Sequence, residues 1–379
     1  MDNSTQELAQ QTKGTKEDDT RSNKKDNIHL MPKLKHYNKW LRIITYILFL
    51  LVGQTTGILL GRLYFDKGGN SKWMATFVQT AGFPILIPLT LLFPSSPTGL
   101  RPPVYKLTLL YFIYGLFVAA DNLMYSYGLQ YLPVSTYSLL CASQLAFNAV
   151  TSFFINAQKF TALVLNSIVI LTISACLIAT NAGNDASAGS NVAPGKFTLG
   201  FLCAVGASAT LALLVSVAQY SFEKVFKDNS FNTVVCMQLY PYAVATCVCV
   251  IRLFGSGEWR TLKEEMRDYK KGRVPYVMVL VSTAISWQLS ALGLFGLIFE
   301  VSSLFSNVIA TLSLPLVPIL AVVFFHDKMN GVKVIALILA MWGFLSYIYQ
   351  HYLDNVEATA KKAKKENGNE IIGSSTEMC

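Results

Sequence analysis

The sequence is short of charge. Asp, Glu, Lys and Arg make up 14% of its 379 residues, against about a quarter in an ordinary soluble domain. What charge exists is gathered at the ends. Residues 1–40 and 353–379 hold 23 of the 53 charged side chains, which leaves 30 for the other 312 residues. That scarcity excludes a soluble globular enzyme, a disordered scaffold and a coiled coil. Histidine is rarer still. The four are His29, His36, His326 and His351, all outside the middles of the apolar runs, so a histidine proton relay is not expected. The seven cysteines form no CxxC pair, and six lie in apolar runs. They read as small packing residues, with no disulfide framework and no metal site. No HExxH, GxSxG, Walker loop or glycine-rich dinucleotide turn occurs, so neither an enzyme nor a cofactor is expected. The net charge of +9 comes without a basic groove interleaved with aromatics. It reads as cations near a lipid surface, not as a nucleic-acid site.

Long apolar stretches are what the chain does have. Residues of the set AVILMFWYC make up 53%. A helix needs about 20 mostly apolar residues to cross a bilayer core. Ten segments meet that length or come near it: about 41–61, 73–93, 106–128, 133–155, 161–181, 197–221, 231–254, 275–298, 301–325 and 331–352. Lipid offers no partner to an open backbone edge, so each span is predicted to be a helix. The fold class is therefore all-α integral membrane. Tight turns are expected at Leu132-Pro133 and around Glu300, and a short amphipathic surface helix within 255–274. Prolines 84, 88, 241, 315 and 318 fall inside spans, where each removes a backbone donor.

The two halves echo each other. Gly128-Leu129 before Pro133-Val134-Ser135 is matched, 168 residues on, by Gly296-Leu297 before Val301-Ser302-Ser303. Five spans in each half make the repeats inverted, the pattern of secondary carriers with a site between the repeats. The predicted organisation is a disordered cytosolic tail over 1–40, a first five-helix repeat over 41–181 and a Gly/Ser/Asn-rich linker over 182–196. A second five-helix repeat follows over 197–352, and a disordered cytosolic tail over 353–379. Lys33, Lys35, Lys39 and Arg42 beside the first span favour tails inside. The basic stretch 255–274 argues the other way. The first apolar run starts only near Leu41, after a polar stretch, so it reads as an anchor and not as a cleaved signal. The sequon at Asn3 falls in the tail placed in the cytosol.

Eleven acidic residues lie between 41 and 352, and ten of them sit in loops or at span ends. Asp121 alone lies well inside a span. A charge at the bilayer centre costs at least ~2.5 kcal/mol, so an acid kept there has a use or a neutral form. Asp121 is the candidate proton-coupling residue. No Lys or Arg is deep in any span, so a phosphate ester or nucleotide sugar would find no counter-charge. The cargo is expected to be neutral or cationic.

Uncharged polar residues recur at helical spacing. Tyr137, Cys141, Gln144, Asn148 and Ser152 share one face of the fourth span. Ser303, Asn307 and Thr311 share a face of the ninth, and Tyr114, Asp121 and Tyr125 one of the third. Gln54, Asn122, Trp287 and Gln288 add to the set. Amides suit the alternating donors and acceptors at the edge of a planar heterocycle, and rings such as Tyr125 and Trp287 suit its face. The candidate substrate-binding residues are Gln54, Asn122, Tyr125, Gln144, Asn148, Trp287, Gln288, Ser303 and Asn307. Interhelical hydrogen bonding is the competing reading of each one, at about 0.6 kcal/mol apiece.

Several motifs together resemble the plant purine permease family of the drug/metabolite transporter superfamily. They are Gly61–Trp73 (GRLYFDKGGNSKW), Ala120-Asp121-Asn122 with Tyr125, and Tyr131–Ala149 (YLPVSTYSLLCASQLAFNA). Further ones are Gln158–Thr161 (QKFT), Glu258-Trp259, Ser286-Trp287-Gln288, Val301–Asn307 (VSSLFSN) and Phe325–Gly331 (FHDKMNG). The resemblance covers about 38–353. It implies ten transmembrane helices as two inverted five-helix repeats, and proton-coupled uptake of adenine, cytokinins and related bases by alternating access. Some relatives are linked to alkaloids or pyridoxine-like compounds. The implied setting is most often the plasma membrane, with an internal membrane as the alternative. The partners implied are a purine-like small molecule, protons and the lipid bilayer. A carrier of alkaloids or other amines, with Asp121 as counter-ion, is the alternative within transport. A non-transporting receptor or scaffold is the alternative outside it. The sequence leaves the oligomeric state open.

Overall fold

A computed structural model of the protein describes residues 37–92, 103–156, 194–226, 230–326 and 329–343, with scattered positions within 161–177 and 345–356. The predictions for residues 1–36, for most of the linker and for nearly all of the C-terminal tail lie outside these. The chain divides into two compact units, Met1–Tyr46 and Ile47–Cys379. In the first, the described residues belong to a helix with Tyr37, Trp40, Leu41 and Ile44 exposed.

The regular structure of the described residues is all helical, without strands. Among the described residues, eight helices are long and apolar enough to cross a membrane. The helices, in order, are α1 (Tyr37–Asp66), α2 (Lys72–Ala81), α3 (Ile87–Leu92), α4 (Val104–Tyr131), α5 (Val134–Cys141), α6 (Gln144–Asn156) and the shorter α7 (Leu165–Ser174). Then come α8 (Pro194–Tyr220), α9 (Phe231–Gly255), the surface helix α10 (Leu262–Asp268), α11 (Arg273–Glu300), α12 (Ser303–Phe325) and the shorter α13 (Gly331–Gly343). The fifth and tenth predicted spans correspond to α7 and α13, which stay below spanning length where described. Helix α1 starts four residues before the predicted tail ends, and α8 starts at Pro194, inside the predicted linker.

Two spans are interrupted. In the second, α2 stops at Ala81, a 3-10 turn with proline in its first positions runs over Phe83–Leu86, and α3 resumes. Pro84 supplies the reason, since it cannot donate to the preceding turn. Pro241, by contrast, is carried within the continuous helix α9. The fourth span breaks at Ala142-Ser143 with no proline at the break. There Ser143 Oγ donates to Leu140 O at 2.7 Å, and Leu145 N turns to Ala142 O at 3.3 Å. A serine hydroxyl competing for a backbone carbonyl is a known way to loosen a helix.

The exterior is apolar and the interior carries the polarity. Phe112, Phe117, Ile251, Ile285, Ile319 and Phe324 are among the exposed large hydrophobics. Gln144, Asn148, Gln238, Gln288 and Asn307 are buried. Lipid tails exert no hydrophobic drive between helices, so close packing and hydrogen bonds hold such a bundle. The glycine stripe of α1 shows the packing. A Cβ at Gly53 would lie 2.6 Å from Ser286 O and Ser290 N of α11, and one at Gly57 would lie 2.9 Å from the Trp287 ring. Helix α4 presses on α9 in the same way, with a Cβ at Gly115 placed 2.7 Å from Pro241 O. Arg62 of α1 closes the end of α4. Its Nη1 donates to Leu129 O and Leu132 O, both at 3.0 Å, and its Nε lies 3.0 Å from Asp66 Oδ1. A cation is well placed at a helix C-terminus.

Candidate functional site

The central stretches of the long helices enclose a cavity of about 80 Å³, taken as the space open to the centre of a water molecule. One water needs about 10–15 Å³ on that measure, so the cavity has room for several. Tyr242 and Trp287 stand near the midpoints of α9 and α11, and Gln144 begins α6 just past the break in the fourth span. The break matters to the site because Cys141 and Gln144 flank it and both face the cavity.

Asp121 is 3% exposed and belongs to the cavity wall. Its Oδ1 is buried and has no hydrogen-bond partner among the described residues. Four phenols share the wall, Tyr114, Tyr125, Tyr137 and Tyr242. Tyr125 and Tyr137 meet edge to face with centroids 6.1 Å apart, and Tyr114 OH is occupied by Leu214 O of α8 at 3.0 Å. Among the described residues, Asp121 is the sole Asp or Glu of the wall, and none of the others there is Lys, Arg or His.

Six of the ten predicted site residues come together here: Gln54, Asp121, Asn122, Tyr125, Gln144 and Trp287. The other four are not residues of the cavity wall. Asn307 and Gln144 pair across α12 and α6, with Gln144 Nε2 donating to Asn307 Oδ1 at 2.7 Å and Asn307 Nδ2 donating to Gln144 O at 3.3 Å. Asn307 therefore orients a wall residue. Gln288 ties three helices together. Its Nε2 donates to Gln79 O and Thr80 O of α2, and its Oε1 accepts from Gln238 Nε2 of α9 at 2.9 Å. Asn148 Oδ1 accepts from Ser216 Oγ at 3.2 Å, while its Nδ2 is buried without a partner among the described residues. Ser303 is pinned to Gln219 Oε1 by both its N–H, at 2.9 Å, and its hydroxyl. The shared face of the fourth span thus divides at the break. Tyr137, Cys141 and Gln144 face the cavity, and Asn148 and Ser152 face Ser216 of α8.

Two polar wall residues, Tyr242 and Ser290, were not singled out by the sequence. Ser290 lies three residues after Trp287, hence on the same helical face. Tyr242 follows Pro241, and its one signal was that neighbour. Among the described residues no group of three or more His, Cys, Asp or Glu side chains could hold a metal.

Residues 41–357 match the family described as purine nucleobase transmembrane transport. The chain belongs to the purine permease family. Probable purine permease 11 of Arabidopsis thaliana is 52% identical over 340 residues, covering 89% of this chain and 89% of that protein. Probable purine permease 10 of the same plant is 53% identical over 324 residues, covering 84% and 83%. Purine permease 21 is 52% identical over 341 residues, covering 88% and 86%. Purine permeases are transporters and not enzymes, and this one is an integral, multi-pass membrane protein. That leaves the receptor or scaffold alternative without support.

Proposed function

We propose that this purine permease carries purine nucleobases and related ring bases, adenine and cytokinins among them, into the cell by proton-coupled alternating access. The architecture proposed is ten helices in two inverted five-helix repeats, with α7 and α13 completing the set. The plasma membrane is the proposed site. One observation carries the reading: among the described residues, a buried acid with an unpartnered oxygen stands in a central cavity of phenols and amides without a basic side chain. An isolated ion in such a place is costly. A proton or a protonated base at Asp121 removes the cost, and the cavity is then ready to turn over. The aromatic walls stack a planar ring, and Gln54, Asn122 and Gln144 meet its edge. Asn148, Gln288, Ser303 and Asn307 hold the helices that present those groups.

The test is uptake of radiolabelled adenine or cytokinin into transport-deficient yeast, at acidic and at alkaline pH, with and without a protonophore. Accumulation that rises at acidic pH and collapses with protonophore is expected. Uptake indifferent to both removes the coupling. The unpartnered Oδ1 of Asp121 also favours a second reading, in which the acid is the counter-ion of an amine or alkaloid. Competition between adenine and a nicotine-like base separates the two readings.

A further inference from the structure

The turn between α1 and α2 is clasped from outside the bundle. Glu265 of α10 is buried, at 8% exposure. Its Oε1 accepts from Tyr64 OH at 2.6 Å and from Tyr276 OH at 3.0 Å. Its Oε2 accepts from the backbone N–H groups of Asn70 at 3.1 Å and Ser71 at 3.2 Å. Four donors on one carboxyl group form a strong, directional holdfast. Two more backbone bonds run alongside. Lys270 N donates to Lys67 O at 3.0 Å, and Tyr269 OH donates to Leu63 O at 3.3 Å. Burial, with Asp66 and Glu265 nearby, pushes the Tyr269 phenol up, so it stays a neutral donor. Glu258 adds a further link by accepting from Ser71 Oγ, the hydroxyl that caps α2 through Met74 N at 2.9 Å.

The turn itself is built to be gripped. Gly69 N donates to Tyr64 O at 2.9 Å and Gly68 N to Phe65 O at 3.3 Å, the paired bonds of a helix end closed by a left-handed residue. Gly68 is that residue, with φ +113°. A Cβ at Gly69 would lie 2.5 Å from the Tyr64 ring, so this glycine lets the ring pack closely against the turn.

Tyr64 has a second role. Its ring lines a smaller cavity of about 20 Å³ with Gly61, Ala75, Val78 and Thr283. That cavity shares Tyr125, Tyr137 and Trp287 with the central one. A single line of groups therefore runs from the central cavity through three aromatic rings to the smaller cavity, then to Tyr64, and so to Glu265. We propose that this line is the closed exit of the central cavity on the α10 side, and that Glu265 is a positioning residue which holds it shut through Tyr64 and the α1–α2 turn. Opening on this side requires α10 to release the turn and Tyr64 to leave the smaller cavity. The inference rests on the carrier reading, since only a carrier needs such an exit to open.

Ala75 lines the smaller cavity and is buried, which makes it the reporter. The Ala75→Cys chain is to be reacted with a membrane-impermeant thiol reagent in unsealed membranes, with the natural chain as blank. Glu265→Gln and Tyr64→Phe are then added separately. Each is expected to speed labelling of residue 75 several-fold, and Glu265→Asp to restore slower labelling. The same labelling rate in all the chains overturns the proposal. Tyr64→Phe removes one donor of four, so it decides the matter if Glu265→Gln does not fold. Labelling needs neither substrate nor proton gradient. Faster labelling with no uptake in the natural chain would keep the exit and remove the carrier reading. Intact uptake with unchanged labelling would do the reverse.

Discussion

At the scale of single residues, the decisive contrast is between polar groups that are used up and those that are free. Gln288 and Asn307 spend their amides on other helices, whereas Asp121 Oδ1 has no such partner among the described residues. The Asp121→Asn change keeps the shape and removes the proposed proton site. We expect accumulation to fall roughly tenfold or more, the value of one lost bond to a charged group at about 1.5–3 kcal/mol. Uptake with and without protonophore reads this out, and normal accumulation in the variant would make Asp121 structural. The Gln144–Asn307 pair makes a different prediction. Gln144→Ala strands a buried amide on α12 and should cost about 1 kcal/mol. That lies between the ~0.6 kcal/mol of an average membrane hydrogen bond and the ~1–3 kcal/mol of an orphaned one. Replacing both members by Leu should recover most of the loss, read as the melting temperature in detergent. If the double variant is the less stable one, the pair is not an isolated unit.

At the scale of elements, helix α1 packs through glycine. Gly53→Ala sets a methyl against the backbone of α11, which cannot move aside as a side chain can. Overpacking of this kind costs about 1–3 kcal/mol, so a lower melting temperature and weaker uptake are expected. Gly255→Ala has nothing within 4 Å and should change neither. Equal effects at the two sites would mean that the stripe is not a packing surface. The elements were also the most legible level of the sequence. Long apolar runs fix the helices, and Pro84 announces the break in the second span because proline lacks a donor. The break at Ala142-Ser143 left no such mark, since serine is common in unbroken helices. The polar faces were legible as well, which is why Asp121, Tyr125 and Gln144, now in the cavity wall, stood out in the sequence. Which amide would face an open cavity and which would find another amide was not legible. That depends on which helices become neighbours, and short-range spacing says nothing of it. Tyr242 was hidden for the same reason. Nothing within α9 distinguishes it from Tyr240, yet Tyr242 is in the wall while Tyr240 is exposed and stacks on Tyr111.

At the scale of the whole molecule, the described residues of the cavity wall include one acid and no base. That imbalance predicts selectivity against anions. Adenosine monophosphate and nucleotide sugars should fail to compete with adenine for uptake, because a phosphate brought beside Asp121 meets a like charge and no counter-ion. Competition by either compound as strong as that of unlabelled adenine would overturn the assignment of the cavity.

The apolar exterior has a practical corollary for anyone handling the protein. Rings and branched chains such as Phe117, Ile251 and Phe324 are exposed, and an apolar exterior of that kind seeks its own copies once amphiphile is withdrawn. Diluting a purified sample below the micelle threshold should therefore produce clumps well before any helix unwinds, with turbidity rising while the helical circular dichroism signal holds.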